Sequence, residues 1–142
     1  MRLASLILTT IAMASALAHA FEHPNTLTAS RPDYLTLQKI YRGWAFLAVV
    51  VFSAAVVTMV LAISNWQEPL LFTGALISSL CVAASLFIFA FITYPVNQAT
   101  ANWTFNPSNS ESLRRRWTVS VLASAGLDVV GFVSLVVALV RG

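Results

Sequence analysis

The sequence predicts an all-α membrane protein, an antiparallel four-helix transmembrane bundle forming one domain over residues 1–142, and three observations carry that expectation. The chain is 58% hydrophobic and only 9% charged, whereas roughly a quarter of the residues in soluble domains are charged. Four apolar runs, at 3–21, 44–63, 70–94 and 118–140, are long enough to cross a hydrocarbon core that needs about 20 helical residues. Trp44, Trp66, Trp103 and Trp117 lie at or just beyond the ends of these runs, where an indole ring is favoured at the headgroup level.

The first run ends in Ala18-His-Ala-Phe-Glu-His-Pro24, which supports two readings. Ala18-His19-Ala20 has the small-x-small form of a signal-peptidase site, so the run could be a leader that is removed. His19 and Glu22 are instead one helical turn apart, as at the polar end of a membrane helix. Topology favours the second. With four spans, Arg31, Lys39, Arg42, Arg114, Arg115 and Arg116 fall in the two long connections on one side, and only Arg2 and Arg141 on the other. The rule that basic loops stay inside then places the long connections in the cytoplasm. Cleavage would export three of those six basic residues. The run is also longer than a usual signal core of about 7–15 residues and, as a helix, reaches about 28 Å. An uncleaved first span is therefore expected.

In the first connection, Ser30-Arg-Pro-Asp33 offers a capping serine, an early proline and an acidic residue in the first turn. A helix restarts there, and its apolar residues Tyr34, Leu35, Leu37, Ile40 and Tyr41 suit the membrane interface. In the second connection, Pro95 and Pro107 are expected to bracket a non-helical or broken stretch. Ser108-Asn-Ser-Glu111 has capping-box spacing and starts a helix that continues through Leu113-Arg-Arg-Arg-Trp117 into the fourth span.

This arrangement brings polar side chains from distant positions to one end of the bundle. His19 and Glu22 end the first span, Gln38, Tyr41 and Arg42 precede the second, and Asn97, Thr100, Asn102 and Trp103 follow the third. Arg116 and Trp117 open the fourth. Such a mouth suits a pocket between helices, although helix-end polar groups also cap carbonyls and anchor in headgroups, the reading preferred for Arg114–Arg116. Asp128 is the one charge inside a span, in line with Ser120 and Ser124 and close in angle to Gly131. It is either a functional carboxyl or the acceptor of an interhelical hydrogen bond from the Gly74, Ser78, Ser85 face of the third span.

Cys81 is the only cysteine, which excludes an internal disulfide and a cysteine metal site. No phosphate loop, metal-ligand pattern or nucleophile motif is present, so no metal or other cofactor is expected. The formal charge of +3 is explained by loop placement and does not suggest a nucleic-acid partner. The expected partners are membrane lipids and an apolar aromatic small molecule.

Four stretches carry a family resemblance: Ala18-His-Ala-Phe-Glu-His-Pro24, Leu37-Gln-Lys-Ile-Tyr-Arg-Gly-Trp44, Pro95-Val-Asn-Gln-Ala-Thr-Ala-Asn-Trp103 and Leu113-Arg-Arg-Arg-Trp117. Together they resemble the anthrone-oxygenase-like group of small four-span membrane proteins, many of them bacterial and grouped as a domain of unknown function. The resemblance implies an uncleaved four-helix bundle in a bacterial inner membrane. For some fungal relatives it also implies cofactor-independent oxidation of a polyketide anthrone by molecular oxygen. It marks His19, Glu22, Gln38, Tyr41, Arg42, Asn97, Thr100, Asn102, Trp103, Arg116 and Trp117 as family-pattern positions. The chain departs from the pattern where Thr118-Val-Ser-Val follows Trp117, since relatives carry an acidic residue and a histidine there. In the oxygenase reading, His19 removes a phenolic proton, Glu22 orients or charge-balances it, and Arg42 with Asn97 stabilises the oxyanion. The other pattern residues and Asp128 line the substrate. The alternative is a non-catalytic protein that binds lipid or a partner helix, with the same residues as an internal clamp.

Overall fold

Backbone N–H and C=O groups cannot remain unpaired in hydrocarbon, so apolar segments of this length have to close their hydrogen bonds as helices. The computed structural model describes all 142 residues. It contains α1 (Arg2–Thr26), α2 (Arg31–Leu37), α3 (Leu47–Ser64), α4 (Pro69–Ile88), α5 (Tyr94–Ala99) and α6 (Ser110–Arg141), and no strand. Four segments are long and apolar enough to cross a membrane: Arg2–Thr26, Trp44–Ser64, Pro69–Ala99 and Ser110–Arg141. They run antiparallel in a ring, with α1 against α3 and α6, and α4 against α3 and α6. At most 28% of any span's apolar window is buried inside the chain. Phe52, Phe87, Phe91 and Leu80 point outward, as expected for a surface that meets lipid tails.

Three boundaries differ from the sequence expectation. The third span does not break at Pro95. Phe89–Thr93 form a π turn in which the Tyr94 N–H bonds the Phe89 carbonyl, and α5 then continues to Ala99. Pro95 has no N–H to donate, and the widened turn just ahead of it absorbs that loss. The Ser108 capping box does not form either. α6 starts at Ser110 behind Asn109, which makes no side-chain cap, because Pro107 accepts the Ser110 N–H and closes the preceding turn. Finally, Trp44–Phe46 form a 3-10 turn, so the regular helix of the second span starts at Leu47. Ser30 does cap α2: its hydroxyl donates to Asp33 Oδ2 at 2.6 Å and accepts from the Asp33 N–H. After α2, Gln38–Tyr41 form a 3-10 turn, and side chains of the two pieces divide. Tyr34 and Gln38 turn inward while Leu37 and Ile40 stay exposed.

The closest packing is between α4 and α6. A Cβ on Gly74 would lie 2.4 Å from Ala138 Cβ and 2.7 Å from the Ser134 carbonyl oxygen, and one on Gly131 would lie 3.2 Å from the Ser78 carbonyl oxygen. Small residues here let two backbones approach, which is how helices associate when lipid tails remove the hydrophobic drive. Leu61, Ala62, Leu71, Ala75, Leu135 and Ala138 fill this end of the bundle. Ser79 Oγ also donates across from α4 to the Ala55 carbonyl at 2.8 Å. The single ion pair, Arg2 to Glu68 at 3.1 Å, sits half-exposed at the same end and adds little.

Gly74→Ala is expected to destabilise the bundle by about 1–3 kcal/mol, since the methyl group forces α4 and α6 apart. Gly126→Ala, where a Cβ meets nothing within 4 Å, serves as the control and should cause no loss. Thermal unfolding in detergent checks the pair, and equal midpoints for both variants would refute the tight seam.

Candidate functional site: a cavity at the polar end of the bundle

The end opposite the glycine seam is hollow. A cavity of about 570 Å³ runs inward from the α1, α3, α5 and α6 ends to the middle of the bundle. That volume lies within the usual range for small-molecule sites, about 300–1,000 Å³. Of the sequence candidates, His19, Gln38, Tyr41, Arg42, Asn97, Asn102, Trp103, Trp117 and Asp128 line it. Residues separated by most of the chain are thus brought to one space. Glu22, Thr100 and Arg116 do not line it.

His19 sits at the centre of an aromatic cluster on the cavity wall. Its ring lies 4.1 Å from Tyr41, 5.3 Å from Trp44 and 5.4 Å from Trp117, the last edge-on. Its Nδ1 is buried and has no hydrogen-bond partner. The helical spacing does put His19 and Glu22 on one face: both line a second, smaller pocket of about 240 Å³ behind the cluster. No hydrogen bond or ion pair joins them, Arg2 to Glu68 being the single ion pair. The aromatic rings hold the imidazole in place, and Glu22 lies outside the large cavity.

Asn97 is carried to the mouth by α5, and Asn102 and Trp103 reach it through a turn that the sequence did not foreshadow. Ala101, Asn102 and Trp103 all have positive φ, at 49°, 54° and 60°, a conformation that costs about 1 kcal/mol or more for each non-glycine residue. Thr100 holds this turn. Fully buried, it donates its hydroxyl to the Val96 carbonyl at 2.9 Å and accepts the Trp103 N–H at 3.1 Å. The Asn102 N–H meets the Asn97 carbonyl at 2.6 Å. Thr100 therefore shapes the mouth instead of lining it.

The arginines divide in the same way. Arg115 and Arg116 are exposed, as headgroup anchors are. Arg114 is not an anchor: it donates to the Ala29 carbonyl at 3.2 Å, to the Leu27 carbonyl at 3.3 Å and to the Thr26 carbonyl. These carbonyls lie at and just beyond the C-terminal end of α1, where a cation is favoured by the helix dipole. The same guanidinium lies 4.1 Å over the Tyr34 ring. Tyr34, Val96, Trp103 and Leu113 pack together under it and close the outer face of the mouth.

Among the lining groups not singled out by sequence are Trp44, Tyr94 and Thr93. Trp44 was read only as a boundary marker, and Tyr94 only as the end of a run. Thr93 was missed, and the π turn that presents it left one trace in sequence, the nearby Pro95. Ser120 donates to the Trp117 carbonyl at 2.7 Å, so Thr93 is the donor in the 2.9 Å Thr93–Ser120 contact that ties α6 to the π turn. No group of three His, Cys, Asp or Glu side chains is placed to hold a metal ion. No protein-family model, curated protein or solved structure matches the chain.

Burial pushes the Tyr34 phenol up to about 12, against the lowering pulls of the nearby Arg114 guanidinium and Gln38. A raised folded-state value means that this stabilisation is complete below pH 10 and is lost as pH rises from 10 towards 12. The Tyr34 hydroxyl has no hydrogen-bond partner, so Tyr34→Phe is expected to fold as well as wild type at neutral pH and to lose less stability in that alkaline window. Melting curves across the window check this, and identical alkaline limbs would reject the assignment to Tyr34.

Proposed function

We propose that the chain is an integral protein of a bacterial inner membrane, with both long connections in the cytoplasm. Its cavity binds a flat, apolar, phenolic or quinone-like molecule and oxidises it with molecular oxygen without a cofactor. The observation that carries this reading is His19, whose buried Nδ1 lacks a partner in a ring of aromatic side chains beside a cavity that Arg42 and Asn97 also line. The aromatic walls suit a fused-ring substrate. The clustering of Arg31, Lys39, Arg42 and Arg114–Arg116 at this end supports the orientation.

In this mechanism an anthrone or phenol enters with its acidic proton towards His19, which takes it as general base. Arg42 and the Asn97 amide stabilise the oxyanion on the ring oxygen. Oxygen adds to the electron-rich carbon and the proton returns to give a hydroperoxide. Loss of water leaves one oxygen atom as the new carbonyl and carries the other away. Carbon is oxidised and dioxygen is reduced, with no other reactant. Glu22, which has no hydrogen bond to His19, contributes charge from the smaller pocket.

A second reading is favoured by Arg114 and Thr100, whose hydrogen bonds are all internal: a non-catalytic protein whose polar end is a clamp and whose surface binds lipid or a partner helix. The His19→Ala variant separates the two. Oxygen uptake with a hydroxyanthrone is expected to fall about a hundredfold or more while the protein stays folded. Unchanged turnover would remove His19 as the base, and loss of folded protein would favour the clamp. Intact mass of membrane-extracted protein is expected to include residues 1–20, because a mature form without them carries no His19.

A further inference from the structure

The inner end of the cavity has a recognition problem that the proposed chemical steps leave open. Asp128 lines this end with Ser85 and Ser124. Only 4% of its surface is exposed, and Oδ1 has no hydrogen-bond partner. Of the hydroxyls lining the cavity, Ser85 donates to the Val82 carbonyl at 2.9 Å and Thr93 donates to Ser120. A buried polar atom left without a partner typically costs about 1–3 kcal/mol, so the free acceptor points to a donor on the occupant.

The rest of the lining states what kind of donor fits. Arg42 is the only Lys or Arg side chain in the lining and Asp128 the only carboxyl, and they lie at opposite ends. Along α6, Trp117 at the mouth and Asp128 are separated by about 16 Å at 1.5 Å of rise per residue. The walls between them are small or apolar, including Ala12, Ala16, Val51 and Leu86. A ligand led by an ammonium group would have to pass the Arg42 guanidinium. A neutral hydroxyl would not. An oxyanion at the trailing end would meet Arg42 with the Asn97 and Asn102 amides.

We infer that the cavity is a two-ended site for an elongated aromatic molecule, with a hydroxyl at its inner end accepted by Asp128 and a carboxylate or similar oxyanion at its outer end held by Arg42. This rests on the reading that the cavity binds a flat apolar ligand, and it names that ligand's two polar groups and their order.

Equilibrium binding to detergent-solubilised full-length protein tests it with three probes. They are a hydroxynaphthoic acid bearing its two groups at opposite ends of the rings, the same acid without the hydroxyl, and the naphthol without the carboxyl. Wild type is expected to bind the hydroxy acid about tenfold or more tightly than the acid without the hydroxyl, the size of one buried hydrogen bond. Asp128→Leu should bring the two acids level, and it should melt no lower than wild type because it removes an unpartnered buried group. If the leucine variant does not fold, Asp128→Ala carries the same comparison. Arg42→Gln should weaken both acids and leave the naphthol unchanged. Equal binding of the two acids by wild type, or a preference that survives loss of Asp128, overturns the inference while the cavity reading stands. Ala48→Trp fills the cavity. If it binds all three probes as wild type does, or if wild type binds none of them, the cavity reading itself fails and the inference falls with it.

Discussion

The close approach of α4 and α6 at Gly74 and Gly131 is the constraint on which the rest of the molecule depends. In lipid, helices gain nothing by hiding apolar surface from one another, so association needs backbone contact, and backbone contact needs residues without side chains in the way. The seam supplies that contact at one end, where Ser134 and Ala138 close over Gly74. Further along the same two helices, the facing residues become Ser85, Ser124 and Asp128, which line open space. A bundle closed at one end and hollow at the other follows from that change of residue type along one interface.

The hollow end cannot be held by the same means, and it is held by polar groups acting on the backbone. Arg114 draws the carbonyls beyond the end of α1 onto α6. Thr100 fixes three consecutive left-handed residues by serving both a carbonyl and an N–H. Backbone strain of this kind is kept where surrounding contacts over-determine it. Here it carries Asn102 and Trp103 to the mouth of the cavity. The outer cluster of Tyr34, Val96, Trp103 and Leu113 then seals the turn, which makes the two connections part of the cavity's architecture.

The chemistry proposed for the cavity draws on the same physics. A site walled by aromatic rings and helix backbone has a low dielectric, in which an unpartnered imidazole nitrogen or carboxyl oxygen interacts more strongly than it would in water. His19 and Asp128 are the two buried unpartnered titratable groups that line this space. One sits at the wall near the mouth and the other at the inner end. Their separation gives the cavity a direction, and Arg42 at the mouth gives it a sign of charge.

Sequence alone determined the class of fold, the number of long helices and the end at which polar side chains gather. Each of these follows from one-dimensional facts: run length against bilayer thickness, the positions of tryptophans and basic residues, and alternation of direction. The helix start at Ser30 was legible because a cap is a local hydrogen bond. Tertiary structure decided the rest. The helix continues through Pro95 because a π turn absorbs the missing donor, and Ser108 fails as a cap because a neighbouring turn takes its place. From sequence, Thr100 and Arg114 fit lining, clamp or anchor equally well. Only the backbone atoms they bond, local ones for Thr100 and ones distant in sequence for Arg114, show them to be clamps. His19 and Glu22 share a helical face, as their spacing requires, yet whether two side chains bond depends on what surrounds each of them. Around His19, that is an aromatic cage drawn from two other segments.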